Sequence, residues 1–507
     1  MSLLSTILLI LLIIPAASYG WGMRGTTIGG EKGAMLPGAL IGAIVALTSD
    51  ILIVQEYFYV FAALGAIAMY FGGCMTYGET LGLSMNAKPA ENMKKGLQGV
   101  FLKGFLWFGV FGAIFTTGIY AVTKIYNTFD LIILCFLTPA LALVCLKIFN
   151  KPHDVGQHKF PKRYFSKKRQ EYWGVMVGIL ASFLVFAIIR YNAYTIVFTI
   201  ICALFGGFGW VVSQLLQIYI IHYGKKSRYK ICRLFSSANG ADSWKAMECA
   251  LGAIGGIGVA LAHIVTYNHF KDIVFTLEET GGVFPNNSVV SLVLFILWGI
   301  LFVLDNIHYF VKKPVTKALL LVQLKNGEIT KREYGIRVIN AVDTIPKFYD
   351  IYEKALEPVE FIIYAAIPFA LICLGCIKIA STMALLILFW VLAQEIAFEG
   401  RLSKKLSVIL QIIFYLFALG LFIYQLICSF RISLTPVFVV YTIVYEVLTL
   451  FYVIGRIAMD KWITDDVSTK ENVARCFKAV IKNKGLITTH LYFIACISVL
   501  LSYCFSL

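Results

Sequence analysis

Residues 1–20 read MSLLSTILLILLIIPAASYG, and residues 21–33 continue WGMRGTTIGGEKG into an apolar run that begins at Ala34. The reading of the first twenty decides the architecture. As a signal peptide they would be cleaved near Ala17, but no Lys or Arg precedes the apolar run, as a signal's first segment requires. Read as a retained helix, they open a series. Apolar stretches of spanning length recur near 34–54, 57–83, 97–121, 129–149, 172–190, 194–221, 245–268, 289–310, 359–379, 381–399, 406–429, 433–455 and 486–506. A membrane helix needs about 20 mostly apolar residues. Continuous runs of this length mean helices, since barrel strands alternate over about ten residues. The expected fold is an all-α integral membrane protein with fourteen transmembrane helices.

Composition agrees. Of 507 residues, 59% are apolar and 14% charged, and mean hydropathy is +0.81. Ordinary soluble domains carry about 25% charge, so a soluble enzyme, a disordered chain and a disulfide scaffold are excluded. The twelve cysteines sit mostly inside apolar runs and lack disulfide-framework spacing; they read as small buried hydrophobes. The final Cys504-Phe505-Ser506-Leu507 imitates a prenylation box, but Ser506 fits poorly at an aliphatic position.

Basic residues set the orientation. With the N-terminus outside, 39 of the 44 Lys and Arg fall on the seven inner connections and their helix ends, and 5 on the six outer ones. Both termini are then outside. The net charge of +16 belongs to the cytoplasmic face, where anionic lipid headgroups account for it. Membrane lipids are therefore the expected partners, with no nucleic acid, and the expected location is a bacterial cytoplasmic membrane. No cofactor is called for.

Four regions are expected. Residues 1–128 and 129–288 form two four-helix repeats in parallel orientation. The pairings behind this are Gly33-Ala34-Met35-Leu36 with Gly174-Val175-Met176-Val177, and Phe71-Gly72-Gly73 with Phe205-Gly206-Gly207. Small-residue faces also recur for packing reasons alone. Residues 289–358 hold a ninth helix and a cytoplasmic connection, and 359–507 a C-terminal five-helix bundle. Thr330-Lys331-Arg332-Glu333 and Ser468-Thr469-Lys470-Glu471 are capping boxes. Each opens an amphipathic helix suited to the inner membrane surface.

Two small-polar loops on the inner face are the main site candidates. The first runs from Trp21 to Gly33, where Arg24, Gly29, Gly30, Glu31 and Lys32 precede a helix. Glycine backbone, a helix N-terminus and two cations suit a phosphate or carboxylate. Gly25-x4-Gly30 is followed by Glu31-Lys32-Gly33 and not by Lys-Ser/Thr, so nucleotide hydrolysis is not indicated. The plainer reading is a tight turn. The second loop, Ser236 to Lys245, echoes the first through Asn239, Asp242 and Lys245, with Asp242 also readable as an N-cap.

Polar groups inside spans are costly and point to function. Glu79 lies about a turn from the inner end of the third span, and Gln214 falls near its counterpart in the seventh. Gln217 and Glu248 share that depth. Lys103, two turns into the fourth span, is expected to snorkel to the interface. Glu446 is near the midplane of its span and is a candidate for proton coupling. No metal site is expected: Cys373-Leu374-Gly375-Cys376 has no nearby His.

Two functions fit. The first is a secondary transporter for an anionic solute or lipid-linked phosphate, possible as a proton-coupled carrier; broken glycine-rich helices and polar groups without a catalytic set favour it. The alternative is a membrane-embedded transferase acting on a lipid-borne substrate at the cytoplasmic face, with Glu31, Glu79 and Asp242 as acid–base groups.

Overall fold

The structure is a computed structural model, and it describes residues 1–24, 30–75, 77–85, 90–151, 162–166, 171–236, 241–279, 320, 323–330, 333–334 and 362–373. Among these the chain is helical and no strand occurs. The helices are α1 (Leu3–Arg24), α2 (Gly30–Leu47), α3 (Leu52–Glu56), α4 (Phe58–Tyr70), α5 (Gly78–Met85), α6 (Ala90–Val122), α7 (Thr128–Phe149), α8 (Trp173–Ile189), α9 (Ala193–Tyr223), α10 (Lys230–Leu234), α11 (Ala241–Val265) and α12 (Tyr267–Glu279). Five helical stretches are long and apolar enough to cross a membrane: Leu3–Gly22, Glu91–Val122, Phe129–Phe149, Ala193–Lys226 and Ser243–Val265. A bent pair, Phe58–Cys74 with Gly78–Met85, makes a sixth if counted as one span, and Lys32–Leu47 and Trp173–Ile189 are shorter apolar helices. The multi-pass membrane character follows from these. The expected spans from 289 onward lie almost wholly outside the described residues.

Two spans differ from expectation. The second starts earlier, at Gly30, and stops at Leu47 instead of running to 54. Its C-terminal end is a polar run whose side chains take over from the helix ladder. Thr48 Oγ1 donates to the Ile44 carbonyl at 2.7 Å, Ser49 Oγ accepts from the Ile51 amide at 3.2 Å, and Asp50 accepts from the Ser2 amide at 2.5 Å and from the Ser5 hydroxyl. The third span is broken: α4 tightens into a 3-10 turn over Phe71–Cys74, and α5 leaves at 62°. Paired glycines weaken a helix. Here a methyl group on Gly72 would overlap the indole of Trp107, whose Nε1 donates to the Met69 carbonyl at 2.9 Å. The indole thus occupies the break and satisfies one carbonyl that the ending helix leaves open. Phe205-Gly206-Gly207, its expected counterpart, lies within unbroken α9.

The connections meet in two groups. Asp50 gathers Ser2, Ser5 and Tyr267, while Asn192 donates to Tyr126 and Arg190 pairs with Asp130. At the opposite end Lys245 reaches Gly22, and Gln214 reaches Ser84. Expected outer connections therefore touch outer ones, and inner touch inner. Close approach of α6 and α9 depends on Gly104 and Gly206, where a methyl on either would meet the other's carbonyl oxygen.

The chain divides into two compact units, Met1–Asn286 with Ile367–Val391, and Asn287–Ala366 with Leu392–Leu507. In the second unit the first capping box forms as read: Thr330 N donates to Glu333 Oε2 at 2.8 Å, and Glu333 N to Thr330 Oγ1 at 3.2 Å. The box at Ser468 and most of both amphipathic helices lie outside the described residues.

Candidate functional site

Lys103 is the centre of the site. Its side chain is 0% exposed, and Nζ lies 2.8 Å from Glu171 Oε2 and donates to Thr80 Oγ1 at 2.8 Å. The expectation that it snorkels is corrected. Snorkelling needs an aqueous end to reach, and here the ammonium is held by Glu171 and Thr80, with Phe165 beside it and Tyr164 and Ser166 buried on either side of Phe165 in the chain. The ring of Phe165 is 5.6 Å from Nζ. Glu79, in the first turn of α5, is near enough to attract the same ammonium.

The connection before α8 supplies this cover. Tyr164 OH donates to the Asn150 carbonyl at 3.3 Å, Trp173 Nε1 to the Arg163 carbonyl at 3.1 Å, and the Gly174 amide to Asn150 Oδ1 at 2.7 Å. The amide of Phe165 donates to Glu171 Oε1 at 3.1 Å. Both oxygens of one carboxylate are thereby engaged, one by backbone and one by the buried cation.

On α5, Thr80 and Ser84 are four residues apart and share a face. Gln214 Nε2 donates to Ser84 Oγ at 2.8 Å, which places the α9 amide one turn along from Lys103. Trp210, Gln214 and Gln217 recur at i, i+4, i+7 and form one stripe. All three are buried, and among the described residues Trp210 Nε1, Gln214 Oε1 and both amide atoms of Gln217 meet no hydrogen-bond partner. Each such atom costs about 1–3 kcal/mol if nothing comes to meet it. Above them is an aromatic wall. The Trp107 ring is 5.1 Å from Trp21 and 5.8 Å from Trp210, and Tyr77, just before α5, is 5.4 Å from Trp210. α5 starts at this wall, so its first amides, which have no partner within the helix, sit beside Tyr77.

Of the residues read from sequence, the structure brings several together. Gln214 lies in the site, and Glu79 beside it. Lys245 Nζ donates to the Gly22 carbonyl at 2.6 Å and is 3.8 Å from Glu248, so it closes the C-terminal end of α1. The two echoing loops thus flank neighbouring helix ends, and Trp21 carries α1 from there to the aromatic wall. Arg24 is the last residue of α1, and Gly30, Glu31 and Lys32 are the first turn of α2. The glycine-rich loop is therefore shorter than expected: helix ends take up its two flanks. α11 starts at Ala241, which puts Asp242 inside the first turn and not at the N-cap. Gly29, Asn239 and Glu446 lie outside the described residues.

Sequence reasoning missed Glu171, Thr80, Ser84 and the three tryptophans. One signal was present: Glu171 is an acid set directly before an apolar span in an otherwise strongly basic connection. Among the described residues no group of three or more His, Cys, Asp or Glu could hold a metal ion. Comparison with protein-family models, curated proteins and solved structures finds no match to this chain, so a functional reading rests on these residues themselves.

Proposed function

We propose that the chain is a secondary transporter for a small anionic solute or lipid-linked phosphate, with its substrate site at the break in the third span. The observation that carries this is Lys103, a wholly buried cation bonded to Thr80 in the first turn of a half-length helix, with α9 atoms one turn along that no described residue satisfies. Discontinuous helices of this kind form transporter sites, because their free ends present backbone groups to a ligand. In this reading the chain has fourteen spans with both termini outside, and residues 1–128 and 129–288 are parallel repeats that diverge where the third span breaks. The loop of Arg24, Gly29 and Gly30 receives the anion at the inner surface, and Glu446 carries the coupling proton.

The test is uptake into proteoliposomes with and without an imposed pH gradient. Accumulation of an anion that is lost in Arg24→Ala, and in Lys103→Met made together with Glu171→Gln so that no buried charge is left unpaired, supports the reading. No uptake of any anion, with turnover of a lipid substrate instead, replaces it by a membrane-embedded transferase.

A further inference from the structure

We propose that Glu171 is a built-in occupant of the substrate site. Its carboxylate holds the place on Lys103 that the acidic group of an organic anion takes, and Tyr164, Phe165 and Ser166 cover the pair until that anion displaces it. This rests on the reading of Lys103 as the substrate cation.

Three observations carry it. First, Glu171 comes from a connection and not from a spanning helix, yet it is 0% exposed and 2.8 Å from Lys103. A buried lysine needs a counter-charge, and here it comes from a residue that stands just before α8. Second, the Phe165 amide holds Glu171, the Phe165 ring lies against Lys103, and Tyr164 and Ser166 are buried on either side of Phe165 in the chain, so in this proposal the cover moves with the carboxylate. Third, one turn along α5 from Thr80, Gln214 Oε1 is unpartnered, and so are Gln217 and Trp210 Nε1 on the same stripe. Glu171 fills the charged end only. The remaining atoms include two acceptors and two donors. Inorganic phosphate carries its hydroxyls on the charged centre itself and does not reach a group one helical turn away, so the ligand that satisfies the stripe donates from a second, separate group. The class is a small organic anion, carboxylate or phosphate monoester, that bears hydroxyl or amide groups about one helical turn from its charge.

The exchange is balanced in charge. The ligand's anion takes over Lys103 as the Glu171 carboxylate passes to water at the inner surface. While Glu171 occupies the cation for most of the time, apparent affinity falls in proportion to the free fraction, so an occupancy of 90–99% weakens binding about 10- to 100-fold.

The experiment uses the full chain in phosphatidylcholine nanodiscs, with binding measured calorimetrically for gluconate, glucose 6-phosphate and inorganic phosphate. Glu171→Gln is expected to bind glucose 6-phosphate at least about tenfold more tightly than wild type. Inorganic phosphate stays weaker than glucose 6-phosphate in both proteins, and Gln214→Leu weakens only the hydroxylated probes. Nanodiscs that also contain phosphatidylinositol separate the sources: competition by that lipid assigns a lipid-borne anion, and its absence a soluble one. In case Glu171→Gln fails to fold, Ser166→Cys in the otherwise native chain, read by site-resolved mass spectrometry, should react faster with a maleimide at saturating glucose 6-phosphate. Equal or weaker binding by Glu171→Gln, no binding of any probe, or labelling that ignores the ligand overturns the proposal. Binding that behaves as expected without uptake in proteoliposomes removes transport and leaves the site.

Discussion

Removing Lys103 alone should be far worse than removing it together with its partner. In Lys103→Met the Glu171 carboxylate stays at 0% exposure with its ammonium gone, while the Phe165 amide still holds it in place. Breaking a buried pair from one side costs about 3–5 kcal/mol, whereas replacing both members by neutral groups is often close to neutral. Thr80 Oγ1 also loses its donor, which adds about 1 kcal/mol. Lys103→Met is therefore expected to lose about 4–6 kcal/mol. Lys103→Met with Glu171→Gln should recover most of that, giving a coupling of roughly 3 kcal/mol in a double-mutant cycle. The assay is thermal and denaturant unfolding of the four proteins in one detergent, followed by fluorescence-detected size exclusion. Single variants that are each near neutral, or a double variant that equals the sum of the two, would refute the ion pair as the anchor of the site.

Three further outcomes are expected. Just past α2, burial works to raise the Asp50 carboxyl, but hydrogen bonds from Ser5, Ser2 and Tyr267 outweigh it and hold it at about 2; the Asp50 contribution is present above the ordinary value of 3.8 and is lost as pH falls through about 2, so the melting-point gap between wild type and Asp50→Asn should close over that window. Gly104→Val should destabilise by about 1–3 kcal/mol or more, because its branched side chain meets the Gly206 carbonyl of α9; Gly82→Ala, where no described atom stands near the new methyl, serves as the control in the same unfolding assay and should be unchanged or gain up to about 1 kcal/mol from helix propensity. Glu446→Gln, which fixes the protonated form, should abolish accumulation driven by a pH gradient and leave calorimetric binding of the solute intact.

The helices in the first 280 residues were legible because the length of an apolar run sets the length of the helix. The 1–20 stretch, read as a helix, lies in α1. Boundaries were less legible where side chains compete with the ladder: Thr48-Ser49-Asp50 ends the second span early, and Gly72 with Trp107 breaks the third. Those depend on a neighbour far along the chain. The site was half legible for the same reason. Gln214 and Glu79 stood out as polar residues at membrane depth, a property of their own positions. Lys103 was misread because snorkelling is decided by what lies between the ammonium and water, and the cover comes from Tyr164, Phe165 and Ser166, sixty residues on. Glu171 was passed over although one local signal marked it, an acid at the end of a basic connection, because its partner Lys103 lies far back in the chain.

The most direct measurement is a cryo-EM map of the purified protein in lipid with glucose 6-phosphate at saturating concentration. The account predicts ligand density on Lys103 that extends along α9 to Gln214 and Gln217, with Glu171 withdrawn and, across different particle classes, openings to both sides of the membrane. Density elsewhere with Glu171 still on Lys103, or a pocket that stays closed toward the outside in every class, would contradict it.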